Sequence, residues 1–584
     1  MSDVISQTDS FMSTWTDSLT EGQSWDSETQ PVSSFPWKAM KSKKKKKKKK
    51  KKRFLRSIFA SELCDTNSTE WQAEQSPIPG GQVVLDPIIR GIFEIDKKSC
   101  DVLLTESRLI WSPIQPEAPT DNSPANSKHR EKFVEMKDIF AVKLKRRRSA
   151  GQQKGGTLLG ITLFQCYKKG KKLKDHTIHL GNLSEDHCEN WFHHVKDILR
   201  TYSGRPKSIK VFVNPNSHKK EANDVYQEQV APLFRLANIQ SDVTITQYKG
   251  HALSILKECQ LQEFDGVVCV GGDGFASEVA NGLLLRAQMD AGRDADSVFT
   301  PVRAALPLGI IPAGSTDTVA YSLHGVRHPK TAALHIIMGH RQPVDICTYR
   351  SDCELLRFGF SAMFGFGGRT LALAEKLHWM PPVQSREFAL MKSLANLRPE
   401  DCELSFLPQY TQDDCRQQKD MGDLLHCGSR QLWQQIQGLF LNISVMAIPC
   451  LCSMAPRGLA PITSLDNGSM ALIAVRDTSR ANFIKHLKGY GDFKNQFRFP
   501  FVETFTVQEV ILRPRPRSDG ADEPKPHPLV SAVSPGTGGL PWNIDGDLVE
   551  MSSEIHIRLH PQLITLFGAN TEETDDGMSK CSCL

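Results

Sequence analysis

The sequence predicts a multi-domain protein with a small β domain, then an α/β domain on a parallel sheet, then a mainly antiparallel β domain. The chain has 584 residues, which is too long for one hydrophobic core. Its apolar pattern changes twice, from short alternating segments to β-α alternation and then to longer apolar runs. These changes place the domains at residues 81–203, 204–343 and 344–570, with tails at 1–80 and 571–584.

The N-terminal tail is predicted to be disordered, because it is polar and carries a run of like charges, Lys43–Lys52. Such a run gains roughly 1 kcal/mol per lysine near an anionic membrane surface. It also suits nuclear import factors, and it would bind nucleic acid only non-specifically. The alternative is a solvated tail without a binding role.

Cysteine use and hydropathy favour a reducing compartment. The 15 cysteines form no short-loop framework, the first 30 residues hold no apolar signal core, and no apolar run is long enough to span a bilayer. We therefore expect a location in the cytoplasm and in the nucleus or nucleolus. Any contact with membranes, such as those of the endoplasmic reticulum and Golgi, would be peripheral.

The first domain alternates short strands with turns and ends in one amphipathic helix. The helix is expected over residues 184–200, with Ser184 as its N-cap and Trp191 in its apolar stripe. Strands are expected at residues 91–95, 100–104, 108–111, 133–136, 139–144, 160–167 and 177–180. Antiparallel strands closed by a C-terminal helix with a tryptophan resemble a pleckstrin-homology (PH) domain, which implies contact with an anionic membrane surface.

The second domain alternates strands and helices, which predicts a parallel sheet with its ligand at the carboxyl ends of the strands. Strands are expected at residues 209–213, 243–248, 266–270 and 306–311, and helices at 221–237, 251–261, 275–287 and 331–339. In the third domain, β-type runs are expected at residues 355–363, 402–407, 438–446, 469–475, 501–512, 554–559 and 563–567. Polar stretches at residues 409–431 and 515–539 are expected to be flexible insertions.

The strongest motif is Gly-Gly-Asp-Gly at residues 271–274, which follows a buried-type strand and opens a helix. Gly271, Gly272 and Gly274 would let main-chain amides approach a phosphate closely, and the helix N-terminus adds partial positive charge. Asp273 is unsuitable as a phosphate ligand because like charges repel, but it suits a Mg²⁺ ligand or a general base. The structural alternative is an incidental Asp-Gly turn between a strand and a helix.

With Glu278 and Val279 after it, this motif resembles the signature of the diacylglycerol, sphingosine and ceramide kinases. The resemblance implies that Asp273 is the catalytic proton acceptor and that Glu278 lies at the nucleotide site. A second matching element is LGIIPAGSTD at residues 308–317, in which phosphate would contact Gly314, Ser315 and Thr316. Acids for the lipid substrate are implied at Asp317 and Asp345.

Further matches favour the ceramide kinase branch of this family. They are CLC at residues 450–452, PRGL at 456–459, DNG at 466–468 and WNIDGD at 542–547. The resemblance implies ATP with Mg²⁺ as cofactors, with the metal ligands unassigned. It also implies further nucleotide contacts at Asn214, Pro215, Asn216, Thr246, Asp545, Gly546 and Asp547.

Several positions depart from the family pattern. The first phosphate loop, residues 214–220, has no glycine, and Gln247 replaces an acid. Arg369 stands where an aspartate is expected, His378 where an arginine is usual, and Asp547 where a glutamate is usual. A shorter acid moves its carboxylate by more than an ångström, whereas catalytic geometry tolerates only about 0.5 Å.

Two hypotheses of function follow. In the first, the protein transfers the γ-phosphoryl group of ATP to a hydroxyl of a sphingolipid or an acylglycerol. In the second, it is a catalytically weak or inactive pseudokinase that binds nucleotide or lipid and moves between nucleus and membranes. The departures from the family pattern keep the second hypothesis open.

Overall fold

The structure is a computed structural model, and it describes residues 86–114, 131–147, 155–217, 220–293, 300–352, 354–377, 379–409, 432–491, 497–515, 539–551 and 554–569. Residues 1–85, which include the polybasic run, and residues 570–584 lie outside these ranges. Nearly all of the two expected insertions, at residues 410–431 and 516–538, also lies outside them. Of the helices in the described ranges, none has the length and apolar character to cross a membrane.

The first domain is a seven-stranded antiparallel sheet in the order β4-β3-β2-β1-β7-β6-β5. Helix α1 (Glu185–Thr201) closes it and begins after Ser184, whose side chain accepts a hydrogen bond from the amide of His187. The predicted strands and helix are thereby confirmed. The strands are β1 (Ile89–Ile95), β2 (Lys98–Leu104), β3 (Arg108–Pro113), β4 (Lys132–Glu135), β5 (Ile139–Arg147), β6 (Thr157–Lys169) and β7 (Lys172–Gly181).

Helix α1 is held to the sheet by its buried tryptophan. Trp191 is fully buried and packs edge-on against Phe93, with ring centroids 5.0 Å apart. Gly91 permits this approach, because a Cβ atom there would lie 2.6 Å from the ring of His187. The sheet and the helix therefore share one core, as the predicted PH-like architecture requires.

The α/β domain has a parallel sheet in the order β11-β10-β8-β9. Its strands are β8 (Ser208–Val213), β9 (Gln240–Ile245), β10 (Gly266–Gly271) and β11 (Leu308–Pro312). Its helices are α2 (Ala222–Val225), which continues through a π-helical turn into α3 (Ala231–Leu236), then α4 (His251–Glu258), α5 (Asp273–Asp290), α6 (Thr318–His324) and α7 (Pro329–Met338). The predicted alternation is confirmed, although the short helix α6 was not predicted.

The third domain is mainly antiparallel, as predicted. Three expected runs differ: the run at residues 355–363 forms two strands, whereas the runs at residues 554–559 and 563–567 join into one long strand. The strands are β12 (Arg341–Ser351), β13 (Glu354–Gly359), β14 (Ser361–Gly365), β15 (Glu400–Pro408), β16 (Gln434–Met446), β17 (Met470–Arg476), β18 (Val502–Pro514), β19 (Leu540–Ile544), β20 (Asp547–Met551) and β21 (Ile555–Phe567). The helices, which were not predicted, are α8 (Phe366–Lys376), α9 (Pro382–Ala395) and α10 (Arg480–Gly489).

The long strand β21 joins the two sheets into one of 14 strands. It pairs antiparallel with β12 and β18, and at Leu566 it pairs in parallel with Leu308 of β11. Leu563 and Ile564 consequently lie in the core of the α/β domain. Strand β21 thus connects the third domain to the parallel sheet of the α/β domain.

The first domain packs on the α/β domain through a shared apolar cluster. Phe140 of β5 is buried in the same cluster as Ile337 of α7. The hydroxyl of Thr331 accepts a hydrogen bond of 3.2 Å from the amide of Leu173. Arg205, in the linker between the domains, donates to the carbonyl of Ile139 at 2.6 Å.

This packing predicts a large loss of stability in the variant Phe140→Ala. Phe140 is 5% exposed, so truncation should cost about 3–5 kcal/mol. The matched control is Phe133→Ala in the same domain, because Phe133 is 55% exposed. Its loss should be about 1 kcal/mol or less, mainly from the cation–π contact with Arg108. Urea unfolding of both variants tests this, and equal losses would contradict the shared core.

Candidate active site

Two glycine loops meet at the carboxyl ends of the adjacent strands β10 and β11. The amide of Ala313 donates to the carbonyl of Gly271 at 3.0 Å. A Cβ atom on Gly314 would lie 2.4 Å from the Cα atom of Gly272, so the two backbones touch without room for a side chain. In the described part of the chain, no side chain caps the start of helix α5. The first amides of α5 therefore lack a side-chain acceptor, and the positive end of the helix dipole lies where the two loops meet.

Asp273 stands at the first position of α5, where the two loops meet. One carboxylate oxygen accepts a hydrogen bond of 2.8 Å from the hydroxyl of Thr316. The other accepts one of 3.1 Å from the amide of Val319, in the first turn of α6. The carboxylate of Asp273, on the first loop, is therefore oriented by the second loop and the start of α6, and the residue remains partly exposed.

Asp317 shapes the second loop from within. It has a left-handed backbone conformation (φ 53°) and is almost fully buried. Its carboxylate accepts from the amide of Gly314 at 2.8 Å and pairs with Arg327. Burial raises the pKa of Asp317 to about 6, against the opposing effect of Arg327. The geometry gives Asp317 a role in loop structure, and its contact with a lipid stays a prediction.

The turn between β19 and β20 holds the third domain onto helix α5. Asp545 and Gly546 have φ values of 52° and 84°, which a tight hairpin turn requires. The buried carboxylate of Asp545 accepts from the hydroxyl of Ser277 at 2.9 Å and from the amides of Phe360 at 3.0 Å and Ser361 at 2.8 Å. Burial raises the pKa of Asp545, while these donors lower it.

Asp547 lies beside the glycine loop at the end of the same turn. Its carboxylate forms ion pairs with Lys249 at 3.0 Å and with Arg357 at 3.2 Å. A Cβ atom on Gly274 would lie 3.1 Å from an oxygen of Asp547. The Asp545 contacts thus position an acid at the N-terminus of α5.

Two other predicted site acids serve the fold in this structure. Glu278 accepts a hydrogen bond of 3.0 Å from the amide of Ala252, in the first turn of α4. Asp345 is 0% exposed, and its two oxygens accept from the amides of Gln562 at 2.8 Å and Gly468 at 2.7 Å. Asp345 is thus enclosed, whereas Glu278 is partly buried and accepts this bond through one of its two carboxylate oxygens, and the ligand contacts of both acids stay predictions.

The first predicted phosphate loop folds as a local turn. The side chain of Asn214 accepts a hydrogen bond from the amide of Asn216 at 3.0 Å, with Pro215 between them. The hydroxyl of Ser217 would lie 3.1 Å from a Cβ atom on Gly271, so this loop borders the glycine loop. Directly after β9, the buried hydroxyl of Thr246 donates to a main-chain carbonyl of β8 at 3.3 Å.

Several cations around the loops escaped the sequence analysis. Arg386 of α9 donates to the hydroxyl of Ser315. Arg357 of β13 donates to the hydroxyl of Ser277 at 2.8 Å, and Arg327 contacts the carbonyl of Gly314. These residues come from separate segments, so no local spacing could reveal them. Only the folded chain shows this rim of arginines around the glycine loops, in which Arg327 is paired with Asp317 and Arg357 with Asp547.

Arg369, which stands where an aspartate is expected, makes its contacts within the third domain. Its guanidinium pairs with Glu400 and donates to the carbonyl of Arg398 at 2.5 Å. His378 lies outside the described residues. The structure therefore brings together the two glycine loops, Asp273 and Asp547, and it places Arg369 in the packing of the third domain.

The Asp545 contacts predict a stability difference between two neighbouring acids. Asp545→Asn presents an amide group to buried donors, and an unsatisfied buried donor costs about 1–3 kcal/mol. Asp547→Asn removes partly exposed ion pairs, which are worth about 0–1 kcal/mol each. Thermal unfolding should therefore show a clearly lower midpoint for Asp545→Asn. A larger loss in Asp547→Asn would contradict the assigned roles.

Comparisons with family models match three parts of the chain. The ceramide kinase PH domain matches residues 89–195, the diacylglycerol kinase catalytic domain residues 208–349, and the ceramide kinase C-terminal domain residues 360–584. These matches follow the order of the domains described above.

Relatives along the whole chain agree with these matches. The chain is 57% identical to the ceramide kinase-like protein of Homo sapiens in an alignment of 513 residues. That alignment covers 83% of this chain and 91% of that protein. It is 33% identical to ceramide kinase of Homo sapiens over 428 residues, 67% of this chain and 78% of the relative. Ceramide kinase of Mus musculus is 30% identical over 534 residues, 83% of this chain and 98% of the relative. The chain belongs to the ceramide kinase family of lipid kinases.

Proposed function

We propose that this protein binds ATP and transfers its γ-phosphoryl group to a primary hydroxyl of a sphingolipid or a related acylglycerol. The observation that carries the proposal is the position of Asp273, which is held by Thr316 and Val319 where two glycine loops meet. A base at that point lies next to main-chain amides suited to a triphosphate. The relatives named ceramide kinase support a ceramide-like acceptor.

In this mechanism, positioning and charge stabilisation do most of the work. The amides at the start of α5 and in the loop of Gly314 would hold the phosphates, with Arg386 beside Ser315. Asp273 would accept the proton of the lipid hydroxyl as its oxygen attacks the γ-phosphorus. The ADP oxygen leaves on the opposite side.

The residues present also fit a nucleotide-bound Mg²⁺ ion, which would neutralise phosphate charge. Mg²⁺ is usually held by one or two carboxylates together with phosphate oxygens and water. Within the described residues no group of three or more acids, histidines or cysteines could hold a metal alone. Asp547, beside Gly274, is the acid that would hold the ion together with ATP, which leaves the carboxylate of Asp273 for the proton.

The acceptor side of the cleft is formed by helices α8 and α9. Arg386 of α9 reaches the second glycine loop, so this helix borders the proposed phosphate site. Helix α9 exposes Phe388 (48%) and Met391 (42%), and the connection before it exposes Trp379 (74%). An apolar surface next to a phosphate site suits a substrate with a polar head and long hydrocarbon chains.

A pseudokinase is the second candidate. The first loop favours this candidate, because the side chain of Asn214 accepts a hydrogen bond within the loop itself. The loop also has no glycine that would let a phosphate approach its backbone. This candidate is favoured also by Asp547, whose carboxylate is already paired with Lys249 and Arg357. Such a protein would bind nucleotide or lipid without forming product. Its movement between nucleus and membranes through the polybasic run and the PH domain belongs to this proposal.

Radiolabelled ATP distinguishes the two candidates. Transfer to a panel of ceramides and diacylglycerols is expected for the wild-type chain, and Asp273→Asn should lower it at least about 100-fold, because a positioned general base contributes 10²–10⁴. The control is Asp290→Asn at the other end of α5, where the acid pairs only with Arg286 on the surface among the described residues. Equal activity of both variants would contradict the role of Asp273. No transfer by the wild type, with ATP still bound, would favour the pseudokinase.

Nucleotide binding can be tested separately from transfer. Gly314→Ala inserts a methyl group 2.4 Å from the Cα atom of Gly272, which must separate the two loops. We expect affinity for a non-hydrolysable ATP analogue to fall about tenfold or more, because displaced amides lose charge-assisted hydrogen bonds. Gly204→Ala is the control, since a Cβ atom there meets nothing within 4 Å. Unchanged affinity in Gly314→Ala by calorimetry would argue against the phosphate cradle.

A further inference from the structure

Both carboxylate oxygens of Asp547 are paired with cations of this chain. One oxygen lies 3.0 Å from the ammonium of Lys249, and the other lies 3.2 Å from the guanidinium of Arg357. The oxygen that Lys249 contacts also faces Gly274, because a Cβ atom on that glycine would lie 3.1 Å from it. The ammonium of Lys249 therefore occupies the acid that would hold Mg²⁺, beside the first glycine loop.

Two cations balance two acids at this place. The guanidinium of Arg357 also donates to the hydroxyl of Ser277 at 2.8 Å, and that hydroxyl donates to the buried carboxylate of Asp545 at 2.9 Å. Arg357 thus connects Asp545 with Asp547, and the charges of these three residues and Lys249 sum to zero. A Mg²⁺ ion on Asp547 would add two positive charges next to the two cations, and this repulsion lowers the affinity for the metal.

The turn that carries Lys249 is held in place by local contacts. The amide of Gln247 donates to the Nδ1 atom of His251 at 3.2 Å, and the ring of Tyr248 stacks on the same imidazole, with centroids 4.7 Å apart. Gly250 follows with a left-handed backbone (φ 89°), which glycine adopts without strain. The turn thus fixes the backbone of Lys249 just before α4, while its side chain is 71% exposed and remains free to change partners.

A lysine in this position suits a phosphate as well as a carboxylate. Its ammonium is a compact charge on a flexible stem, and lysines bind phosphate groups as point charges. Mg²⁺, by contrast, gives up its water reluctantly and demands near-octahedral geometry. Because the ammonium of Lys249 is tethered beside Asp547, it is always present at high effective concentration, whereas the metal ion must come from solution.

We propose that Lys249 competes with Mg²⁺ for Asp547 and supplies its own charge to the nucleotide phosphates, so that ATP binds about equally well with and without the metal. This role of Lys249 rests on the nucleotide site proposed above, and it determines how far that site depends on Mg²⁺. Arg357 contributes by neutralising the second oxygen of Asp547. Removal of the Lys249 ammonium frees the oxygen that faces Gly274 for the metal.

The test is calorimetry of the full chain with the imido analogue of ATP (AMP-PNP), once in excess Mg²⁺ and once in EDTA. The measured quantity is the ratio of the dissociation constant in EDTA to that in Mg²⁺. In the wild type the two constants should be about equal. In Lys249→Met the ratio should rise about tenfold or more, because the phosphates lose a charge-assisted hydrogen bond in EDTA and Mg²⁺ gains a carboxylate oxygen.

Lys257→Met is the matched control, because Lys257 is an exposed lysine in the last turn of α4. A ratio that rises in Lys249→Met, but not in Lys257→Met, supports the proposal. The proposal is overturned if the wild type binds the analogue only with Mg²⁺, or if the two variants have the same ratio, and the proposed nucleotide site survives both results. No binding by the wild type in either condition overturns the nucleotide site and, with it, this role of Lys249.

Discussion

The close contact between two glycine loops is the constraint on which the candidate active site depends. Strands β10 and β11 are parallel neighbours, so their carboxyl ends must turn away side by side. Gly272 and Gly314 let these turns touch through their backbones. The contact leaves the amides of both loops at one edge of the sheet and places Asp273 between them. A Cβ atom on Gly314 would lie 2.4 Å from the Cα atom of Gly272, so a side chain there would separate the two loops.

The third domain completes this site through the buried carboxylate of Asp545. Asp545 connects α5 to the strands β13 and β14, and it thereby sets the position of Asp547 beside Gly274. Strand β21 adds a second connection, since it extends the α/β sheet from the third domain. The cleft is therefore bounded by elements far apart in sequence, and its geometry depends on hydrogen bonds that satisfy buried carboxylates.

The sequence predicts the features that depend on residues close together in the chain. The glycine spacing at residues 271–274, the strand before it and the helix after it are all encoded within a few residues, and the structure places them as predicted. Sequence could not predict the different surroundings of Asp273, Glu278 and Asp345, because all three carry a carboxylate and their hydrogen-bond donors come from distant segments. Arg386 escaped detection because its neighbour Ser315 is 71 residues away. Helices α8 and α9 were missed because much of their surface is exposed, which weakens the apolar period.

The proposed phosphate cradle of the two loops, facing Asp273, can be observed in a crystal structure of the full chain with a non-hydrolysable ATP analogue. We expect β- and γ-phosphate oxygens within hydrogen-bonding distance of the amides at the start of α5 and in the Gly314 loop. The Asp273 carboxylate should lie on the side open to the lipid. Nucleotide bound elsewhere, or a cleft closed by side chains at these loops, would contradict this arrangement.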